Sequence, residues 1–70
     1  MALRRGLPDD AINITVERIG FAPKVMTLDA WFHANGFGGE DQEEDRIAIR
    51  FAMDAQFEFW RDGAVLSRIV

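Results

Sequence analysis

The stretch "GFGGEDQEEDR", residues 36–46, sets three glycines ahead of five carboxylates in six positions, Glu40, Asp41, Glu43, Glu44 and Asp45, and Arg46 closes it. Glycine-rich backbone can cradle phosphate, clustered carboxylates can ligate a hard cation, and dense negative charge can steer a basic partner. The phosphate reading fails on spacing. GxxxxGK[ST] is absent, no lysine follows, the dinucleotide fingerprint is missing, and five carboxylates repel an anion. The calcium reading fails on order, because Asp41-Gln42-Glu43-Glu44-Asp45 is not the D-x-[DN]-x-[DN]-G…E arrangement. With no cysteine and one histidine, a structural zinc lacks its ligands. No metal and no cofactor is therefore expected. Two readings stay open: a plain solvated turn, or an edge that docks on a basic protein.

Catalysis has little to build on. His33 is the sole imidazole, and no spacing brings Ser67 or a threonine to it as nucleophile to base. A chain of 70 residues hardly forms the deep cleft in which paired carboxylates do acid–base work. An enzyme is not expected.

The elements that must position these residues follow from apolar periodicity. "MALRRGLPDD" has no period, contains Gly6 and Pro8, and reads as a flexible or extended arm, residues 1–10, before a single domain, 11–70. Ile12, Ile14 and Val16 alternate with Asn13, Thr15 and Glu17, the pattern of a half-buried strand. "GFAPK" breaks it. In "MTLDAWFHANG", Leu28, Trp31 and Phe32 form one helical stripe, with Thr27 as N-cap and Asn35-Gly36 as stop. From Ile47 to Phe59 every odd position is apolar. Period two predicts strand there, with a break near Asp54-Ala55-Gln56 because an unbroken strand would outreach the domain. Asp62-Gly63 is the preferred pair for a tight hairpin turn and sets Trp60 opposite Val65, Phe59 opposite Leu66, and Glu58 opposite Ser67. The order is β-α-β-β-β: an α+β domain, mostly antiparallel sheet with one short helix on one face.

Composition bounds the partners. Hydrophobic residues at 49% and eight aromatics place the chain in the globular class, yet at 70 residues stability is thin. With no disulfide available, self-association or a bound partner is the remaining support, unless the core alone suffices. Eight bases against twelve acids give a formal charge of −4; a basic cluster beyond Arg4-Arg5 is missing, so direct nucleic-acid binding is not expected. No apolar run suits a bilayer or an export signal, so a cytoplasmic protein is expected.

One surface stands out. Trp60, Val65 and Ile69 are expected together on the sheet face away from the helix, with Arg50, Ala48 and Ala52 near them. Either the arm covers that face through Leu3 and Leu7, or strand twist buries it, or a second copy or another protein does. Trp and Arg carry interface energy most often. The candidate partner-binding set is therefore Glu40, Asp41, Glu43, Glu44, Asp45, Arg50, Trp60, Val65 and Ile69, and a homo-oligomer is expected. In size and charge alone, the chain resembles phage-encoded inhibitors of the anti-CRISPR type, which plug basic nucleic-acid-binding grooves, and small virion decoration proteins.

Overall fold

Alternation does its work first at Asn13–Arg18, strand β1, where Ile14 is fully buried and Val16 packs on the core. The computed structural model describes residues 7–69. β1 pairs on one side with β2, Lys24–Thr27, and on the other with β4, Ala64–Arg68; β4 also pairs with β3, Glu58–Arg61. The four strands make one antiparallel sheet in the order β2-β1-β4-β3. Helices α1, Leu28–Ala34, and α2, Glu43–Gln56, lie against one face of it. Their Leu28, Trp31, Phe32, Ile49 and Met53 close a single core over Ile14 and Leu66. The fold is α+β.

The hairpin has the expected register, Trp60 with Val65, Phe59 with Leu66, Glu58 with Ser67. Asp62 and Gly63 take φ of 51° and 79°, the left-handed pair that a two-residue turn demands. Thr27 caps α1, its hydroxyl accepting from the Ala30 amide at 3.1 Å. β2 is an addition: "KVMT" pairs with β1 and runs straight into α1 without a loop.

The long period-two segment is the main correction. Residues 43–56 are helix, not strand. In a helix, residues two apart lie about 200° around the axis and residues four apart share a face. Ile49 and Met53 thus form one stripe, buried in the core, while Ile47 and Phe51 form a second on the opposite side, exposed. An apolar residue at every second position fits a helix with two stripes as well as it fits a strand. Other signals favour the helix. Glu43, Glu44 and Asp45 occupy the first turn, where the dipole stabilises acids, and Ala48, Ala52 and Ala55 are strong helix formers. The expected break near residues 54–56 is the last turn of α2.

α2 stops at Phe57, which takes a left-handed φ of 63° while its amide donates to Met53 O at 2.8 Å. That conformation costs a non-glycine residue about 1–2 kcal/mol, and Phe57 is more than half exposed, so its packing returns little of it. Phe57→Gly is expected to raise stability by about 1 kcal/mol, which thermal melts would register as a rise of roughly 4–8 °C. A lower melting point would show that the ring contributes more packing than the backbone loses in strain.

Candidate interaction surfaces

Because side chains alternate along each strand, the face opposite the helices carries Asn13, Thr15 and Glu17 of β1, Val25 of β2, Val65 and Ser67 of β4, and Glu58 and Trp60 of β3. Two cross-strand rows result. Trp60, Val65 and Glu17 form one; Glu58, Ser67, Thr15 and Val25 form the other. Trp60 is 66% exposed and its indole Nε1 donates to Glu58 Oε1 at 2.8 Å, two residues back on the same side. Ile69 continues past β4, partly exposed, its amide bonded to Asn13 O at 2.9 Å. Trp60 and Val25 stand on the two edge strands of this face, and Val65, Ser67 and Thr15 on the two inner ones. Among the described residues nothing covers it. β3 is an edge strand, so one side of its backbone is free of sheet partners.

Arg50 does not join Trp60. It projects from α2 in the helix layer, Nη1 2.9 Å from Asp9 Oδ1 and Nε 3.5 Å from Asp54 Oδ2, where it makes no hydrogen bond. Asp54 in turn accepts from Arg68 Nη1 at 2.6 Å. The chain Asp9–Arg50–Asp54–Arg68 ties the 3-10 turn Asp9–Ala11 to α2, and α2 to β4. The strand reading put Arg50 on the sheet; the helix gives it a structural task instead, and Ala48 and Ala52 move with it. Asp9 likewise holds the later part of the expected arm on the helix side. Leu7 is exposed, and Leu3 lies outside the described residues.

Residues 36–46 divide in two. The glycine half is architectural. Phe37 is buried in the core, stacked on Trp31 at 5.8 Å and edge-on to Phe32 at 6.2 Å. Gly38 must pass close beside His33, whose ring a Cβ at Gly38 would meet at 3.1 Å. Arg46 clamps the loop by donating to the carbonyls of Phe37 and Gly39. The acidic half forms the 3-10 turn Glu40–Gln42 and the first turn of α2. Glu40, Asp41, Glu43, Glu44 and Asp45 are all exposed, and none forms an ion pair among the described residues.

No family, no curated protein and no solved structure matches this chain.

Trp60 and Val65 are direct neighbours, Ile69 lies at the end of the same sheet face, and the acids sit with α2 in the other layer. His33, on α1, is mostly exposed, and its acidic neighbour is Asp29, whose Oδ1 is 4.0 Å from its Nδ1; Ser67 faces out from the opposite side of the sheet. No group of three metal-ligating side chains occurs among the described residues, and no helix there is long and apolar enough to cross a membrane. One feature had no sequence signal: a cleft near the β1–β2 loop, where Arg18, Lys24 and Arg61 converge from three strands.

Proposed function

We propose that this chain is a non-enzymatic protein-binding module of the cytoplasm that pairs with a second copy of itself through the outer face and β3 edge of its sheet. The observation that carries this reading is Trp60, two-thirds exposed on a face that no described residue covers. Tryptophan is the side chain most often found at the energetic centre of interfaces, and a small acidic chain without disulfides gains stability from association. Val65 beside it, half-buried, and the free backbone of a four-residue edge strand extend the contact.

Sedimentation equilibrium tests this. The wild type is expected at twice the 8.0 kDa chain mass, and Trp60→Glu at the single-chain mass with unchanged circular dichroism. A wild type that stays monomeric as concentration rises defeats self-pairing.

The bare acidic turn supports a second reading. Five exposed carboxylates free of ion pairs among the described residues would steer the domain toward a basic groove, as a phage-encoded inhibitor of the anti-CRISPR type or a virion decoration protein would require. Amidating all five should then abolish capture of such a partner, while Trp60→Glu leaves it intact.

A further inference from the structure

We infer that the cleft between the β1–β2 loop and the C-terminal end of α1 binds a small organic anion, an acid group carried on a flat apolar body. Strand register builds it. Arg18 and Arg61 both stand opposite Ala64, and Lys24 stands opposite Val16, one pair along the same inner face. α1 is short and ends at Ala34, so this end of the inner face is left open. The space is about 340 Å³, at the lower end of the range of small-molecule sites.

Its walls have two characters. Val16, Met26, Trp31 and Ala64 make an apolar floor, with Phe21 at the lip. Above the floor stand three cations and one carboxylate, Asp62. That is an excess of two positive charges in a chain whose formal charge is −4. Of the three, only Arg61 has an ion-pair partner among the described residues, Asp62. Arg18 Nη1 donates to the backbone carbonyl of Asp62 at 2.6 Å, which fixes the guanidinium without cancelling its charge. Lys24 forms no ion pair among the described residues. Arg61 lies over the Phe37 ring at 4.9 Å, and its Nε is 3.5 Å from Asp62 Oδ2, a carboxylate that is itself mostly in solvent. Two guanidiniums thus have their positions set by neighbours while donor N–H groups remain to spare, the condition under which arginine takes a carboxylate or phosphate. The apolar floor excludes a bare inorganic anion as the best ligand, since it offers one nothing. It also disfavours a neutral hydrocarbon, which would leave the cations unmatched.

The site lies on the opposite side of the sheet from Trp60, so it stands or falls separately from self-pairing. The test is a titration of the full, isotopically labelled chain with 1-naphthoate, followed by amide and indole resonances. The neutral 1-naphthalenemethanol and inorganic phosphate serve as comparison probes. Saturable shifts are expected at the Trp31 indole and at residues 16–26 and 61–64, with 1-naphthoate at least about tenfold tighter than either comparison probe, equivalent to about 1.4 kcal/mol. Its affinity should also fall with added salt. Lys24→Gln should weaken 1-naphthoate several-fold with no change in melting temperature, and Arg61→Gln should do the same. Should Arg61→Gln disturb the fold through Phe37, Lys24→Gln alone decides. Equal affinity for acid and alcohol, shifts centred on Trp60, or no saturation would each overturn the assignment.

Discussion

Phe32→Ala is expected to leave little folded protein at room temperature. Phe32 is fully buried and meets Trp31 at 5.9 Å and Phe37 at 6.2 Å, both edge-on. Truncating a core phenylalanine to alanine costs about 3–5 kcal/mol in transfer and cavity terms. At roughly 0.05–0.15 kcal/mol per residue a domain of this size has about 3.5–10 kcal/mol in all. The low end applies to a small chain, whose fraction of buried surface is limited. The aromatic cluster is also where α1, the glycine loop and β3 meet, because Trp31 touches Phe37 and Phe59 as well. Loss of the Phe32 ring therefore removes the edge-on support of Trp31, which makes the contacts to all three, and of Phe37 in the loop. Far-ultraviolet circular dichroism and the dispersion of amide resonances would report it. Phe32→Leu, which keeps most of the volume, should stay folded and lose less than about 1.5 kcal/mol. An alanine variant melting cooperatively within a few degrees of wild type would show that the core does not depend on this ring.

What the residues disclosed, and what they hid, follows from how local each determinant is. Asp62-Gly63 imposes its own backbone, and the whole β3–β4 register follows from that single turn. Trp60 and Val65 keep their expected relation for the same reason. Thr27 shows its cap because the side chain and the Ala30 amide it serves are three residues apart. Residues 47–53 lacked such an anchor. Their period-two apolar pattern is satisfied by both geometries, and the choice is made by acids in the first turn and by alanines, which a count of apolar positions ignores. Arg50 was lost from the candidate surface along with the strand. The acidic residues were recognised as a cluster, but their conformation, a 3-10 turn entering α2, was not. β2 is four residues long and merges with α1, too short for periodicity to register. The cleft is the extreme case. Arg61 is far in the chain from Arg18 and Lys24, the three share no motif, and only the pairing of strands brings them to one end of the sheet.

Met53→Asp and Phe51→Asp, compared directly, decide the geometry on which the placement of Arg50, the second apolar stripe and the acidic turn all depend. On a strand, residues 51 and 53 share a face and the two substitutions would be alike in effect. On α2 they lie about 200° apart. Met53 is fully buried in the core and Phe51 is 74% exposed. A carboxylate at residue 53 would be taken from water into an apolar cluster with no cation among its neighbours in the core, a penalty of several kcal/mol even if it protonates. Added to the lost methionine packing, about 2–5 kcal/mol, this exceeds what the domain holds in reserve, and the variant should be unfolded without denaturant. At residue 51 the carboxylate stays in water. The cost is limited to helix propensity and repulsion by Asp54 three residues on, together about 1 kcal/mol or less. Urea melts of the pair, read by circular dichroism, should show a cooperative transition for Phe51→Asp and none for Met53→Asp. Equal behaviour would return residues 47–56 to the sheet, and Arg50 with them to the neighbourhood of Trp60.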